Sequence, residues 1–238
     1  MKKKFFLGID TETTGSIGRP LVYDTGLEVF DLSGEVYERQ SLVIYDVYVG
    51  MKDLMASAYY ADKLPQYEID LKNGTRQMVK FSTLKDRVYR LIKKYDIEAI
   101  CAYNTSFDRK ALDNTLRVLT NYEKRFFFPY GTKYIDIWNM ACSTIFQTNK
   151  FYEMAYDNDW FSECGNVKTN AETAYKFITK KIDFEESHTA LEDVDIEKEV
   201  MLTCWRKSKD VDRVIIGNPW RKPQKTWYYY EAHRDGVI

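Results

Sequence analysis

The sequence predicts an α/β fold in which a mixed sheet is flanked by helices. Strand patterns come first along the chain, and short apolar strands then alternate with helical patterns. The chain of 238 residues is 45% hydrophobic and 16% aromatic, which is enough to bury a sizeable core. We therefore expect one domain at residues 1–206, to which residues 207–238 add a C-terminal appendage rich in aromatic and basic side chains.

The elements follow in order from the N-terminus. "KFFLGI", at residues 4–9, is typical of a strand buried on both faces, and the turn-rich "TTGSIG" comes shortly after it. "LEVFDLSGEVYERQSLVI" predicts two strands joined by a hairpin turn at residues 32–34, and "EAICAY" predicts another short strand. Helices are predicted at about 51–63, 83–95, 107–120, 135–147, 170–181 and 190–206, with a stretch punctuated by Pro, Asn and Gly after the first.

Charge and cysteine content narrow the classes of function. With 35 Lys and Arg against 36 Asp and Glu the chain is nearly neutral, so a polyanionic partner must be held by local basic patches or bound metal. The four cysteines lie far apart without a CxxC pair, which disfavours a zinc knuckle or disulfide framework and favours a cytoplasmic location. The apolar run of "MKKKFFLGID" is too short for a signal peptide, and no stretch is long enough to span a bilayer.

Two acids, Asp10 and Glu12, stand at the end of the first predicted strand. The period of two along a strand puts both carboxylates on one side, where they repel each other. A cation between them would relieve this repulsion, and hard carboxylate oxygens suit Mg²⁺ or Mn²⁺. A lone D-x-E pair is more often two acids in an exposed turn, so this motif is weak by itself.

Another acid, Asp108, falls in the first turn of the helix predicted after "AICAYN". The helix dipole favours a negative charge there, and Asp108 continues the core-facing stripe of Leu112 and Leu116. It is therefore expected to point toward the carboxyl edge of the sheet, where open sheets place their ligands. A capping or dipole-compensating role is the alternative.

The stretch "EESHTALEDVDIEKEV", residues 185–200, places one of the two histidines beside many carboxylates. Thr189 and Glu192 form a capping box, so the helix is expected to begin there, with His188 just outside it. Asp193 lies on a helix that is apolar on two sides, which makes it a buried acid in need of a partner. Both side chains can then reach one cavity, although a lone histidine before an acidic helix is more often a surface residue.

Together these residues resemble the DEDDh family of 3'-to-5' exonucleases, which contains the proofreading subunit of bacterial DNA polymerase III and several RNases. The resemblance rests on three motifs in the family's order: D-x-E-T-T-G at residues 10–15, N-x-x-F-D at 104–108 and H-x4-D at 188–193. "AYNTSFD" and "YIDIWNMA" are also similar to exonucleases of phages of Gram-positive bacteria. Two departures bear on substrate choice: Tyr103 replaces a common histidine, and the segment at about 145–185 is longer than in compact members.

The resemblance implies a ribonuclease H-like fold and a metal-dependent enzyme that hydrolyses phosphodiester bonds from the 3' end, with single-stranded DNA favoured. Four carboxylates would hold two Mg²⁺ or Mn²⁺ ions about 3.5 to 4 Å apart, and a histidine would take the proton from the attacking water. The implied catalytic residues are Asp10, Glu12, Asp108, His188 and Asp193, of which the four acids bind metal. The implied contacts to the terminal nucleotide are Thr13, Thr14, Ile17, Asn104 and Phe107.

Alternatives from other classes stay open at this point. The chain could be an exoribonuclease of the same family, since DNA and RNA differ by a 2'-hydroxyl that individual pocket contacts read. It could also be a catalytically silent nucleic-acid-binding module. A third alternative is a subunit that holds a DNA polymerase or another replication protein through its appendage.

The appendage contains "PWRKPQKTWYYY", residues 219–230, in which basic and aromatic side chains are interleaved. Arg221, Lys222 and Lys225 would pair with phosphates of an upstream single strand while unpaired bases stack on the rings. The alternative is an edge strand whose alternating aromatics cover the domain. Neutralising the three basic residues is expected to leave the thermal stability unchanged, because basic side chains contribute little to a core.

Overall fold

The computed structural model describes residues 3–15, 18–58, 60–234 and 236. Its strands are β1 (Phe5–Thr14), β2 (Leu21–Asp31), β3 (Val36–Ile44), β4 (Gln77–Val79), β5 (Ala99–Ala102) and β6 (Tyr134–Asp136). They form one mixed sheet in the order β4-β3-β2-β1-β5-β6. β1 pairs antiparallel with β2 and parallel with β5, so the predicted mixed sheet is confirmed.

Helices cover both faces of this sheet. They are α1 (Tyr45–Tyr48), α2 (Lys52–Met55), α3 (Leu64–Asn73), α4 (Phe81–Tyr95), α5 (Thr105–Leu119), α6 (Ile137–Ser143), α7 (Asn149–Asp157), α8 (Ala171–Thr179), α9 (Ala190–Lys207) and α10 (Arg221–Arg234). The helices predicted at 83–95, 107–120, 170–181 and 190–206 are confirmed to within two residues at each end. In the described part of the chain, no helix combines the length and apolar character needed to cross a bilayer.

Two predicted helices differ in extent from the structure. Among the described residues of the predicted helix at 51–63, only α2 and a 3-10 turn at Ala61–Lys63 are helical, and the longer helix is α3. Pro65 stands in the first turn of α3, and Gly74, with φ of +76°, follows its end, so Pro and Gly mark helix boundaries here. The helix predicted at 135–147 is present in part: β6 takes its first two residues, Asp136 caps α6, and a 3-10 turn at Ile145–Gln147 follows α6.

β1 is longer than predicted and contains the acid pair. It continues to Thr14 because it pairs with β2 over its whole length. Phe6 packs into the core formed with α6 to α10, whereas Leu7 and Ile9 pack into the core formed with α4 and α5. By the alternation of a strand, Asp10 and Glu12 project on the same side as Phe6, toward α9.

α9 lies against the sheet at two glycines. A Cβ at Gly26 would lie 2.3 Å from the carbonyl oxygen of Ala190, and one at Gly8 would lie 2.8 Å from Cγ1 of Val194. Only glycine permits backbones to approach this closely. Gly26 pairs with Asp10 across the β1–β2 ladder, so the first turn of α9 is brought to the level of the acid pair.

The C-terminal stretch "TWYYYEA" lies in α10 and is not an edge strand. Trp227 is buried, and its ring contacts those of Tyr152 and Phe161 at centroid distances of 5.7 and 5.1 Å. The Gln224 side chain exchanges two hydrogen bonds, of 2.8 and 2.9 Å, with the backbone of Val167. α10 therefore packs on the same core as α6 to α9, while the domain boundary after residue 206 stays a prediction.

One basic residue of α10, Lys222, forms hydrogen bonds with α6. The Lys222 ammonium donates to Asn139 Oδ1 at 2.7 Å and to Ser143 Oγ at 2.9 Å, and it pairs with Asp212 at 3.2 Å. The expectation that all three basic residues contribute little to packing is therefore wrong for Lys222.

Candidate active site

Three of the predicted acids meet between the sheet and α9. Each of Asp10, Glu12 and Asp193 offers a carboxylate oxygen, and these atoms all lie within 4.8 Å of one another. Asp10 and Glu12 project from the α9-facing side of β1, and Asp193 lies in the first turn of α9. Carboxylate oxygens grouped at this distance can hold a divalent cation.

The start of α9 is held by a buried polar network. The Asp24 carboxylate on β2 accepts hydrogen bonds from the Ala190 N–H at 3.2 Å and the Tyr67 hydroxyl at 2.8 Å. It also pairs with the Arg76 guanidinium at 3.2 Å. Because these bonds fix the first residue of the helix, they also fix the acid one turn later.

The predicted capping box at Thr189 is present in an altered form. Thr189 is the N-cap residue, but its hydroxyl donates to the Glu192 carboxylate and makes no cap bond to the backbone. Glu192 also pairs with Arg76 at 3.3 Å. α9 begins at Ala190, so His188 lies just outside the helix, as predicted.

Asp108 lies near these acids, on the opposite face of β1. It lies in the first turn of α5, directly after β5, and it is only 3% exposed. The Thr11 hydroxyl, which alternates away from Asp10, donates to Asp108 Oδ1 at 2.9 Å. Asp108 is close enough to raise the pKa of Asp10 and Glu12 by repulsion. The structure thus brings the four predicted acids together.

Burial raises the pKa of all four carboxylates, and repulsion from other acids, for Asp108 that of Asp136, raises it further. Burial is the larger cause, and it raises the pKa of Glu12 to about 8, of Asp193 to about 9 and of Asp108 to about 7. The pKa of Asp10 is raised well above its ordinary value for the same reasons. Within the described chain, Oδ1 of Asp193 is buried without a hydrogen-bond partner. The site therefore lacks positive charge, which a hard divalent cation would supply.

A further acid, Glu197, was not predicted. It is 4% exposed, and its Oε2 has no hydrogen-bond partner in the part of the chain that the structure describes. It follows Asp193 by four residues, so both side chains project from the same face of α9. Two acids at this spacing on a helix that is apolar on two sides were the signal that could have found it.

His188 lies beside a different pair of carboxylates. Its Nδ1 is 3.8 Å from Glu186, and ligand atoms of Glu172, Glu186 and His188 all lie within 4.8 Å of one another. The imidazole stacks on the Tyr60 ring with a centroid distance of 4.1 Å and an interplanar angle of 10°. Burial lowers the pKa of His188, against the opposing effect of Glu172. Glu186 connects this group to the acids, because its charge raises the pKa of Asp193.

The residues predicted to contact a terminal nucleotide differ in exposure and in backbone conformation. Thr13 is half-buried, whereas Thr14 is buried and donates its hydroxyl to a backbone carbonyl of α2. Asn104 has a left-handed φ of +67° at the start of α5, and its carbonyl accepts from the half-buried Phe107 at 2.8 Å. Ile17 lies outside the described residues.

Comparison with known proteins identifies the fold. No protein-family model matches the sequence, and no curated protein matches it either. Among solved structures, Exonuclease I of E. coli in complex with a dA16 oligonucleotide aligns with a TM-score of 0.55 at 13% identity, covering 97% of this chain and 44% of that one. The zinc-bound form of the E. coli Exonuclease I–ssDNA complex aligns with a TM-score of 0.55 at 14% identity, covering 88% and 42%.

Exonuclease I of Methylocaldum szegediense aligns with a TM-score of 0.52 at 15% identity, covering 87% of this chain and 41% of that one. The chain therefore spans less than half the length of these three structures. At these identities the likeness shows the fold, and the predicted ribonuclease H-like architecture is confirmed.

Proposed function

We propose that the protein is a metal-dependent 3'-to-5' exonuclease that favours single-stranded DNA. The observation that carries the proposal is the convergence of four raised-pKa carboxylates, Asp10, Glu12, Asp108 and Asp193, at one edge of the sheet. These carboxylates stand on a fold shared with Exonuclease I, whose E. coli form has been solved with a dA16 oligonucleotide and with a zinc ion.

The residues present fit a hard divalent cation. Asp10, Glu12 and Asp193 would hold one such ion with oxygens already within 4.8 Å, and Asp108 would contribute to a second beside Asp10. Two Mg²⁺ or Mn²⁺ ions would neutralise the carboxylates and stabilise charge at the phosphate under attack. The unpartnered Oδ1 of Asp193 supports this assignment, because a buried oxygen without a partner is costly.

His188 is proposed as the general base. Its lowered pKa leaves the imidazole neutral near neutral pH, so it can accept a proton from water. Glu186 beside Nδ1 would stabilise the imidazolium that forms and would leave Nε2 for the proton. Thr13, Asn104 and Phe107 are proposed to contact the terminal nucleotide, because they are half-buried next to the acids.

The proposed location is a cytoplasm, with a DNA polymerase or another replication protein as a further partner. All four cysteines are unpaired, and three of them are buried, which suits a reducing compartment.

Matched, 5'-end-labelled DNA and RNA strands test the proposed function, each with Mg²⁺, with Mn²⁺ and with chelator. We expect a ladder of DNA products shortened from the 3' end only when metal is present, and none with Asp10→Asn or Asp108→Asn. Glu199→Gln, at an exposed position of α9, is the matched control and should keep full activity. A ladder on RNA alone would support an exoribonuclease, and retarded but intact strands would support a binding module.

A further inference from the structure

Glu197 is a buried acid that pairs with no cationic side chain in the part of the chain that the structure describes. Its side chain projects from the sheet-facing side of α9 and is 4% exposed. The next residue, Lys198, pairs instead with Glu28 at 2.6 Å and with Asp195 at 3.2 Å. None of the ion pairs among the described residues includes Glu197.

The surroundings of Glu197 are the acids of the site. Glu197 follows Asp193 by four residues, on the same face of α9, and its charge also raises the pKa of Asp10. The pKa of Glu197 is itself raised, by burial first and then by Asp108. The backbone N–H of Tyr103 lowers this pKa in part, but Oε2 of Glu197 has no hydrogen-bond partner among the described residues.

This arrangement is unfavourable unless a cation is close. A buried carboxylate destabilises the fold when it is neither paired with a cation nor hydrogen-bonded at both oxygens. The neighbouring inward positions of α9, Val194, Val200 and Met201, hold apolar residues, so an apolar side chain would suit the packing there. A carboxylate at this position is therefore stable when a cation lies between it and the neighbouring acids, of which Asp10 and Asp108 interact with it.

We infer that Glu197 acts as a fifth carboxylate beside the proposed cation site and strengthens binding of the divalent cation that Asp10 would hold. The inference rests on the proposed function only in assuming a divalent cation at these acids. It adds a residue that the D-x-E, N-x-x-F-D and H-x4-D motifs do not contain.

Glu197→Gln tests this inference, because the amide keeps the volume and removes the charge. Mn²⁺ titrations by calorimetry should show a dissociation constant raised on the order of 10-fold to 100-fold, the usual effect of losing a supporting group at a metal site. The metal-free variant should unfold at a higher temperature than the parent, because like charges have been removed. The increase in Tm caused by Mn²⁺ should be smaller than in the parent.

Two further variants complete the experiment. Glu199→Gln removes an exposed charge two residues along α9 and should bind Mn²⁺ like the parent. Glu197→Asp keeps the charge on a shorter side chain and should bind Mn²⁺ better than Glu197→Gln. Parent-like Mn²⁺ affinity in both Glu197 variants would overturn the inference and make Glu197 a protonated packing residue.

The test of Glu197 can be distinguished from the test of the proposed function. Mn²⁺-dependent hydrolysis by the parent, with unchanged affinity in Glu197→Gln, would refute the role of Glu197 alone. A parent that binds Mn²⁺ but shortens neither DNA nor RNA would refute the exonuclease while the titrations still decide the role of Glu197.

Discussion

The contact between Gly26 and α9 gives a sharp prediction for Gly26→Ala. The new Cβ would lie 2.3 Å from the Ala190 oxygen, 2.4 Å from the Ala190 carbonyl carbon and 2.5 Å from the Leu191 Cα. All three are backbone atoms, so no side-chain rotation relieves the overlap. A separation of 3.0 Å requires the start of α9 to move by about 0.7 Å, the difference from 2.3 Å.

The magnitude follows from this displacement. Overpacking of this kind costs about 1 to 3 kcal/mol, and each kcal/mol lowers Tm by about 2 to 4 °C in a chain of this size. Gly26→Ala should therefore lower Tm by about 2 to 12 °C. Turnover should fall by about 100-fold, because Asp193 moves with the helix and a shift of about 1 Å at catalytic groups has such an effect.

Thermal unfolding and metal-dependent hydrolysis of an end-labelled oligonucleotide measure both effects. Gly217→Ala is the matched control, since a Cβ there meets nothing within 4 Å, and it should behave like the parent. If Gly26→Ala had the same Tm and turnover as the control, the close contact between α9 and β2 would not position the acids of the site.

Other measurements test the charges of the site and the packing of α10. Without metal, Glu12 and Asp193 have folded-state pKa values of about 8 and 9, above their ordinary values, so folding takes up protons. Their contribution to stability is full below about pH 4 and is lost as the pH rises to 9, so Tm in chelator should be lower at pH 9 than at pH 6 and Mn²⁺ should restore it. An equal Tm would contradict the raised pKa values. His188→Ala should keep Mn²⁺ binding, lower turnover by about 100-fold and remove the acidic limb of the pH profile; lost binding with unchanged turnover would instead indicate a positioning residue. Lys222→Met should cost about 1 to 3 kcal/mol of folding free energy because the buried Asn139 and the half-buried Ser143 lose their donor, whereas Lys225→Met at an exposed position should leave Tm unchanged. Equal Tm values for these two variants would show that the Lys222 network adds no stability.

The sequence could predict those parts of the site that depend on local periodicity. Two residues apart on a strand, Asp10 and Glu12 had to share a side, and Thr189 marked the start of α9. The length of β1 was underestimated, because pairing with β2 extends the strand beyond its apolar run.

Features that depend on tertiary contacts could not be read in this way. The spacing of Glu197 from Asp193 indicates a shared face of α9, but the burial of Glu197 depends on the sheet that packs against that face. The neighbours of His188 come from α8 and from the lead-in to α9, and the stacking ring of Tyr60 lies far away in the sequence. The structural role of Lys222 could not be predicted, because its hydrogen-bond partners in α6 are distant along the chain. Its basic and aromatic neighbours in the sequence indicated a nucleic-acid contact instead.

The order of the acids along the chain has a consequence for protein synthesis. Asp10 and Glu12 are synthesised before Asp108, and Asp193 is carried by the ninth of the ten described α-helices. At translation rates of about 5 to 20 residues per second, about 9 to 37 seconds separate Asp10 from Asp193. During that time β1 cannot complete the proposed cation site, because α9 has not yet been made. A nascent chain can therefore assemble this site only after α9 has emerged from the ribosome.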